Sequence, residues 1–316
     1  MVRFGIIGAG GISKAFAKAA AVTEGVQVTA VAAQDLKRAE AFAREFKIPH
    51  AFGNYAQLLS DRSVDVVYIG NTTNFHYQCI KMCLSAGKHV LCEKAMVETE
   101  ARAIECFELA RKNNCFLMEA MWSRFLPKTK KVREWIEKGR IGRITGVQAT
   151  IGNYVKKDPA NRFYSKELGG GAMYDLGVYA IDMMTYFTEL DITGYSAKVI
   201  RADTGVDETV SLDLDLEGVP ANALITFNAA VPEDCFIYGE KGCIRVPRFH
   251  WGSDAILLDP SMKEIEHFSK PDENGMRFEI EEAVWCIENE FISSETATPE
   301  MTLMSSRIYD SILGTK

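Results

Sequence analysis

The sequence predicts an α/β protein that begins with a doubly wound parallel sheet and continues with an α+β domain built on a large, mainly antiparallel open sheet. Two patterns carry this prediction. Up to about residue 120, short apolar strands alternate with helices, which is typical of βαβ units with right-handed crossovers. Further along, strands follow one another, and residues 209–216 alternate apolar with polar side chains. We therefore assign residues 1–120 to a first domain and residues 121–316 to a second.

The composition is that of an ordinary globular protein, and it narrows the range of partners. Hydrophobic residues make up 47% of the 316 residues, and charged residues make up 25%. The net charge of −7 argues against a nucleic-acid partner, which requires a basic surface. No apolar run approaches the roughly 18 residues of a membrane span. The first strand begins too early to leave room for a secretory signal, so we expect a cytoplasmic protein with no membrane partner.

The eight cysteines form neither a recognisable ligand set nor a disulfide framework. They are scattered, and no Cys-x-x-Cys pair occurs among them. Cys79 and Cys83 are spaced to face one another across a helical turn, but their neighbours indicate the core of an amphipathic helix, which is the interpretation we prefer. We expect reduced cysteines and no metal.

The elements of the first domain follow one another closely. The predicted strands are residues 2–7, 26–32, 51–52, 64–69, 89–92 and 116–118. The predicted helices are an Ala-rich one that ends near residue 22, one capped by Asp35 that ends at 46, and others at 56–60, 76–86 and 99–113.

A glycine-rich loop joins the first strand to the first helix. It reads Gly8-Ala9-Gly10-Gly11-Ile12-Ser13, in the strand–loop–helix context that a dinucleotide fingerprint requires. Gly8 permits the tight turn, and Gly10 lets the backbone approach a pyrophosphate at the helix N-terminus. Ser13 stands where glycine or alanine is usual, and we expect it to cost some closeness between helix and strand. The loop predicts a nicotinamide dinucleotide site in a Rossmann domain.

The end of the second strand bears on the choice between the two nicotinamide cofactors. Ala33 stands where NAD-binding proteins carry a carboxylate, and Gln34, Lys37 and Arg38 supply donors and positive charge. This favours NADP over NAD. Asp35 leaves the alternative open, because it either caps the next helix or reaches the ribose.

Two further segments follow strands of the predicted parallel sheet, where ligands bind in such folds. Glu93 and Lys94 come directly after the fifth strand, and Lys94 can point its ammonium group into a cofactor cleft. The alternative is a solvated lysine at a strand end. Thr72 and Asn74 precede the fourth helix, where they either approach the cofactor or cap the helix.

The second domain opens with a helix and continues with strands. Pro127 suits the first turn of a helix that reaches residue 138. A hairpin turn is predicted at 240–242. Further strands are predicted at 144–151, 209–216, 223–227, 235–238, 244–246 and 255–258, and helices at 278–293 and 299–313, of which the last can pack back on the first domain.

A polar stripe crosses an otherwise apolar helix in this domain. Three glycines, Gly169 to Gly171, precede the helix predicted over 172–187 and bring the backbone close to another group. Asp175, Tyr179 and Asp182 are spaced to share one face of it, which suggests a site. The alternative is that Tyr179 belongs to the packed core with its hydroxyl satisfied.

Residues 8–13, 71–76 and 87–94 together resemble the glucose–fructose oxidoreductase/inositol dehydrogenase/MocA (Gfo/Idh/MocA) family, and the resemblance extends over nearly the whole chain. The family's Glu-Lys-Pro reads Glu-Lys-Ala at 93–95, and we expect the missing proline to loosen the turn that directs Lys94. Residues 118–125 are similar to the branch that contains dimeric dihydrodiol dehydrogenases and NADP-dependent xylose dehydrogenases. The family motif Asp-x-Gly-x-His matches 175–179 with tyrosine in the last position, as in that branch and in the glucose–fructose branch.

The resemblance implies a function and a set of site residues. It implies a homodimer or larger homo-oligomer that uses the outer face of the second sheet, and a small-molecule substrate. The implied catalytic residues are Lys94, Tyr179 and Asp175. The cofactor residues are Gly8, Ala9, Gly10, Gly11, Ile12, Ala33, Gln34, Arg38, Thr72, Asn74, His76, Glu93 and Lys94. The substrate residues are Trp122, Arg124, Phe163, Asp175 and Tyr179, and core packing remains an alternative for Trp122.

The hypothesis is hydride transfer between NADP, or else NAD, and a sugar, polyol or cyclic trans-diol. Tyr179 acts as the general acid–base, and because a free tyrosine has a pKa near 10, it needs the charge of Lys94 to favour the phenolate. Asp175 orients the tyrosine or a substrate hydroxyl. One alternative stays within the family and is an NAD-retaining glycosidase or epimerase. A second alternative belongs to another functional class and is a non-catalytic NADP-binding sensor.

Overall fold

The computed structural model describes residues 1–271 and 274–314. The chain divides into two compact units, of which the first is Met1–Met121 with Asn274–Arg307 and the second is Trp122–Glu273 with Ile308–Lys316. Within the described residues, no helix combines the length and the apolar character needed to cross a membrane.

The first unit is built on a six-stranded parallel sheet with the order β3-β2-β1-β4-β5-β6. Its strands are β1 (Val2–Ile7), β2 (Val26–Ala32), β3 (His50–Phe52), β4 (Val66–Ile69), β5 (His89–Glu93) and β6 (Leu117–Ala120). Its connecting helices are α1 (Gly11–Ala20), α2 (Leu36–Phe46), α3 (Tyr55–Ser60), α4 (Thr73–Ser85) and α5 (Glu100–Lys112). The interior strands are largely buried, and β4 is apolar throughout, because both faces of a parallel sheet are covered. The predicted doubly wound sheet is confirmed.

The C-terminal helices α8 (Met276–Glu288) and α9 (Pro299–Leu313) follow the second sheet in sequence. The sequence analysis assigns both to the second domain, whereas the contacts place Asn274–Arg307 in the first unit. Helix α8 packs against α1. The Leu117 amide donates to the Ile292 carbonyl at 3.0 Å, which extends the bonding of β6. Contacts between residues so far apart in the chain leave no local pattern in the sequence.

The second unit contains an eight-stranded sheet with the order β14-β13-β12-β11-β7-β10-β9-β8. Its strands are β7 (Ile144–Gly152), β8 (Ile192–Arg201), β9 (Asp207–Leu216), β10 (Val219–Thr226), β11 (Asp234–Gly239), β12 (Gly242–Pro247), β13 (Asp254–Leu258) and β14 (Glu264–Ser269), and its helices are α6 (Pro127–Glu137) and α7 (Val178–Thr188). The β7–β10 pair is parallel. The other pairs are antiparallel, so the mainly antiparallel sheet is confirmed.

Two strands of this sheet, β8 and β14, are not predicted from the sequence. Both lie at the edges of the sheet. In both, no residue is buried, so neither strand needs the apolar face that marks β9, where every second residue from Val210 onward is buried. The tight turn between β9 and β10 uses Glu217 and Gly218, both at positive φ, as a two-residue hairpin requires.

The cysteines are all free and all buried. Burial raises the pKa of the Cys106 thiol to about 12. Burial likewise raises the pKa of Cys79 and Cys83 on α4. Thiols with raised pKa values are poor nucleophiles, so these residues act as core packing.

Candidate active site

The predicted cofactor residues of the first unit gather at one edge of the parallel sheet. They follow β1, β2, β4 and β5, which are neighbours in the order β2-β1-β4-β5. Ligands of doubly wound sheets bind at the carboxyl edge, where the strand order reverses. Here the reversal lies between β1 and β4, and the loops after these two strands touch: a Cβ on Gly8 would lie 2.9 Å from the Gly70 carbonyl oxygen.

The glycine loop has the geometry that a pyrophosphate requires. Gly8 has φ of 101°, a conformation that favours glycine. Gly10 stands before α1, and no side chain caps the helix. A Cβ on Gly11 would meet nothing within 4 Å. Uncapped backbone N–H groups at a helix start with open space beside them fit a dinucleotide phosphate.

Ser13 does not have the effect that the sequence predicts. The side chain is buried, and its hydroxyl donates to the Gly70 carbonyl at 3.4 Å. A Cβ on Gly70 would lie 2.6 Å from the Ser13 oxygen. The missing side chain at Gly70 therefore makes the room that Ser13 occupies, and the hydroxyl joins α1 to the loop after β4.

At the end of β2, the structure decides between the two roles considered for Asp35. Its carboxylate accepts the Lys37 amide at 2.9 Å and caps α2. Ala33 is buried, whereas Gln34 and Arg38 are exposed. The side chains available at this strand end are therefore an amide and a guanidinium.

The segment after β4 supports the fold more than the sequence suggests. Thr72 precedes α4 without capping it, and its hydroxyl donates to the Asn74 side chain at 2.7 Å. The capping alternative is therefore wrong for Thr72. His76 is buried, with Nδ1 2.9 Å from the Ala95 carbonyl oxygen and Nε2 3.1 Å from that of Asn71.

Burial lowers the pKa of His76, which keeps the ring neutral near pH 7. A neutral imidazole carries one N–H, so it donates to one of the two carbonyls. These contacts place His76 between the loop after β4 and the segment that carries Lys94. His76 therefore supports these two segments, and its predicted contact with the cofactor stays a prediction.

Side chains from the neighbouring strands hold the backbone around Lys94. The Glu93 carboxylate accepts the Tyr68 hydroxyl at 2.6 Å and the Lys94 amide at 3.3 Å. The Glu119 carboxylate accepts the Met96 amide at 2.8 Å. The Lys94–Ala95 peptide bond is cis. Together with the bond of His76, these bonds hold the backbone of residues 93–96, where the family's proline is replaced by Ala95.

Two carboxylates support the turn that carries Lys94. Glu93 bonds to groups of its own unit, and its predicted contact with the cofactor stays a prediction. Glu119 is not among the predicted site residues, and it also accepts the Thr302 hydroxyl at 2.7 Å. The position of Glu119 in the segment 118–125 was the available signal, because that segment carries the family resemblance. Lys94 itself is half-buried.

In the second unit, Tyr179 lies on α7 and contacts a tryptophan and a histidine. The Trp122 Nε1–H donates to the Tyr179 hydroxyl oxygen at 3.2 Å. The His250 ring lies 4.6 Å from the tyrosine ring, centroid to centroid, at an angle of 34°. Tyr179 is 7% exposed, while Trp122 and His250 are half-buried. Trp122 therefore contacts the predicted acid–base directly.

Arg124 forms a buried ion pair in the second unit. It is buried, and its Nε donates to the carboxylate of Asp182 at 2.8 Å. Its guanidinium also lies 4.5 Å above the ring of Tyr186. Burial raises the pKa of Asp182, and the facing guanidinium opposes that rise. Arg124 therefore joins the 3₁₀ turn Trp122–Phe125 to α7 through a buried ion pair, and its predicted contact with the substrate stays a prediction.

The three polar residues of the predicted stripe have different partners. Asp175 lies in a π-helical turn, Met173–Gly177, that precedes α7. Its carboxylate is 3.4 Å from Nη2 of Arg162. Asp182 pairs with Arg124, and Tyr179 with Trp122. The wider π turn breaks the regular spacing on which the predicted stripe depends.

The glycines before this helix approach the protein's own chain. A Cβ on Gly170 would lie 2.6 Å from the carbonyl oxygens of Arg162 and Phe163, and one on Gly171 would lie 2.2 Å from Oδ1 of Asp207. The Asp207 carboxylate accepts the Met173 amide at 2.7 Å. Gly170 therefore makes room for the backbone of residues 162–163, and Gly171 makes room for the carboxylate that holds the helix start.

Phe163 is half-buried at the edge of this region. Its ring packs edge-on against Phe227 at 5.5 Å, and Arg162 lies above it at 4.0 Å. Ser123 and Lys128 also bond near the tyrosine, through the turn that carries His250. No sequence pattern marks His250 or Lys128. Ser123 lies in the segment 118–125 that carries the family resemblance, although its partner is 127 residues away.

Comparisons with known proteins agree with this architecture. Residues 2–121 match the family model described as an oxidoreductase family with an NAD-binding Rossmann fold, and residues 129–245 match the GFO/IDH/MocA C-terminal domain. A 3-ketoreductase from Actinomadura kijaniata, solved with NADP and TDP-benzene, superposes with a TM-score of 0.88 at 25% identity, covering 98% of this chain and 96% of that one. An aldose–aldose oxidoreductase from Caulobacter crescentus shares the fold, with a TM-score of 0.88 at 19% identity over 98% of this chain and 96% of that one.

Curated relatives are more similar in sequence. A trans-1,2-dihydrobenzene-1,2-diol dehydrogenase of Xenopus tropicalis is 36% identical over 98% of this chain and 96% of its own length. The protein of the same name from Sus scrofa is 32% identical over 99% of this chain and 95% of its own length. The predicted resemblance is confirmed, and the chain belongs to the Gfo/Idh/MocA family of oxidoreductases.

Proposed function

We propose that this protein is an NADP-dependent dehydrogenase that oxidises a secondary alcohol of a cyclic trans-diol or sugar. The observation that carries the proposal is the environment of Tyr179, whose hydroxyl oxygen accepts the indole N–H of Trp122 at 3.2 Å. The printed activity of the curated relatives, trans-1,2-dihydrobenzene-1,2-diol dehydrogenase, supports the substrate class.

Tyr179 takes the proton from the substrate hydroxyl. Bound NADP⁺ supplies the hydride acceptor for the carbon-bound hydrogen. A phenolate must form to accept the proton, and an N–H donor to the oxygen favours that charged form. Trp122 is such a donor. The positive charge of Lys94 favours the same form, and the mechanism requires both residues.

The remaining residues bind and orient. Asp175, half-buried beside Arg162, orients a substrate hydroxyl. The half-buried rings of Trp122 and Phe163 offer apolar faces to a cyclic substrate. Arg124 contributes indirectly, because its ion pair with Asp182 holds the turn that carries Trp122.

The cofactor preference rests on the end of β2. Ala33 brings no carboxylate, Asp35 is used as a helix cap, and Arg38 is exposed to meet a 2′-phosphate. We expect tighter binding of NADP than of NAD in titrations of intrinsic fluorescence. Ala33→Asp should reverse the order, because the added carboxylate repels the phosphate. Equal affinities in the wild type would contradict the proposal.

The test of the reaction is a spectrophotometric assay of NADPH formation. Trans-1,2-dihydrobenzene-1,2-diol and a panel of aldoses and cyclic polyols are offered with NADP⁺. We expect turnover with at least one of them and a loss of about 10²–10⁴-fold in Tyr179→Phe, with folding and cofactor affinity preserved. A Tyr179→Phe enzyme with more than about half the wild-type activity would remove the tyrosine from the mechanism.

The outer face of the eight-stranded sheet supports a homodimer. Leu224 is 38% exposed there, and the stacked rings of Phe236 and Tyr238 lie on the same face beside polar residues such as Gln148. A mixed face with aromatic residues is typical of protein interfaces. Small-angle scattering at micromolar concentration should give a dimeric or larger mass, and a monomeric mass would refute this.

A further inference from the structure

Lys128 is a buried lysine that the proposed reaction does not use. It lies in the first turn of α6 and is 1% exposed. Its Nζ donates to the carbonyl oxygens of Arg248 at 2.6 Å and of Pro247 at 3.4 Å. Within residues 1–271 and 274–314, no carboxylate lies close enough to Nζ for an ion pair. Its ammonium group therefore hydrogen-bonds to the backbone of a single turn.

That turn has a conformation that needs support. Arg248 has φ of 45°, in the left-handed region that residues with a side chain rarely adopt. Such a conformation persists only where its surroundings hold it. The Arg248 carbonyl accepts the Gly252 amide at 2.7 Å and the Trp251 amide at 2.9 Å as well as Lys128. Lys128 is the only one of these donors that comes from outside the turn.

The same turn carries His250, whose ring lies against Tyr179. The Ser123 hydroxyl donates to the His250 carbonyl at 2.8 Å. Ser123 directly follows Trp122, which bonds to Tyr179. The segment that places Trp122 thus also holds the histidine whose ring lies against the tyrosine.

A lysine in this position has a physical cost that an apolar side chain would avoid. Burial lowers the pKa of Lys128 to about 7, opposed by the field of Asp254 and reinforced by that of Arg248, with smaller contributions from Cys235 and Asp234. A buried amine is tolerated when its protons meet acceptors. The two carbonyls of the turn are those acceptors.

We propose that Lys128 is a positioning residue of the active site, which holds the turn of residues 247–251 and thereby keeps the His250 ring against Tyr179. This inference rests on the proposed role of Tyr179. Loss of the Lys128 bonds releases the turn, and His250 then no longer fixes the tyrosine ring at the angle that proton transfer needs. Displacements of about 1 Å at a reacting group can cost about 10²-fold in rate.

The test compares Lys128→Met, which keeps the length and removes the donors, with Lys130→Met on the exposed face of the same helix. We expect Lys128→Met to lower kcat by about tenfold to a hundredfold with unchanged NADP affinity. Carbethoxylation of His250 by diethylpyrocarbonate, followed by peptide mass spectrometry, should become several-fold faster. Lys130→Met should match the wild type in both measurements.

A second background separates positioning from general destabilisation. In a His250→Ala protein, Lys128→Met should lower kcat by less than about twofold, because residues that act through one another are not additive. Ser123→Ala should change both readouts in the same direction but less, and it carries the test if Lys128→Met does not fold.

Three results would overturn the inference. The first is wild-type His250 reactivity in both Lys128→Met and Ser123→Ala. The second is wild-type kcat in both of these variants. The third is a loss of kcat from Lys128→Met that is equal in the wild-type and His250→Ala backgrounds. Failure of the proposed function looks different: Tyr179→Phe would stay active, while the reactivity of His250 would still respond to Lys128→Met.

Discussion

Lys94 and Tyr179 are held in their units in different ways. The Lys94 backbone follows an interior strand of a parallel sheet, and side chains on the neighbouring elements β4, β6 and α4 bond to residues 93–96. Tyr179 follows a π turn, and its neighbours come from a 3₁₀ turn and from a loop with a left-handed residue. Several bonds from regular elements therefore hold the Lys94 backbone. The surroundings of Tyr179 depend on individual side-chain bonds from irregular turns. Single substitutions should therefore disturb the surroundings of Tyr179 more than those of Lys94.

The largest effect is expected from removing Lys94 itself. Lys94→Ala should lower turnover by at least the 10²–10⁴-fold typical of acid–base catalysis, because it removes the charge that favours the phenolate. The loss in Lys94→Ala/Tyr179→Phe should be far below the product of the single losses. Steady-state kinetics measure both, with exposed Lys112→Ala as the control. Fully multiplicative losses would mean that the two residues act independently.

The buried ion pair should have the next largest effect, on stability. Arg124→Met removes the guanidinium that opposes the raised pKa of the buried Asp182, and breaking a buried ion pair in this way costs about 3–5 kcal/mol. The matched control is Arg143→Met. Arg143 and its partner Glu240 are both exposed, so we expect this substitution to cost less than about 1 kcal/mol. Urea unfolding of the two variants gives the difference. Similar costs for both would show that Arg124 does not anchor the Tyr179 helix.

Lys128 gives the stability of the protein a pH dependence. Its pKa is about 7 in the folded protein, through burial, and 10.5 ordinarily, so between these values the unfolded chain binds a proton that the folded protein lacks. Stability from this group therefore rises as pH increases from 7 to 10.5. The unfolding free energy of the wild type, relative to Lys128→Met, should rise by on the order of a few kcal/mol between about pH 7 and 10. A flat or falling difference would contradict a buried amine.

The smallest effects are expected from changing one hydrogen bond near Tyr179 and one near Lys94. Trp122→Phe removes the N–H that the Tyr179 oxygen accepts, and a charge-assisted bond is worth about 1.5–3 kcal/mol, so kcat should fall roughly tenfold or more. Glu119→Gln weakens one of several bonds around Lys94, and kcat should fall less than about threefold. Equal losses, or a larger loss for Glu119→Gln, would reverse the comparison of the two regions.

Much of the first unit follows from local patterns. The strand spacing, the glycine loop and the position of Lys94 after β5 are predictable because apolar periodicity and turn residues act over a few neighbours. The Asp35 cap was foreseen as one of two roles for the same reason. The helix that carries Tyr179 was also visible, although its π turn was not.

Other features depend on residues that are distant in sequence. Strands β8 and β14 bury no residues at the sheet edges, so their sequences lack an apolar face. Arg124 pairs with Asp182, and Lys128 bonds to the carbonyls of Pro247 and Arg248. All of these partners are far away in the sequence.

The sequence by itself determined the order of elements, the nucleotide-binding loop and the two candidate catalytic residues, because each depends on side chains within one strand or turn. Only the tertiary structure decided which protein groups the polar side chains of the candidate site bond to. His76 and Glu93 are residue types that often bind ligands, yet both side chains hydrogen-bond to protein atoms. A buried polar group must find a partner, and the fold alone determines which partner lies within reach.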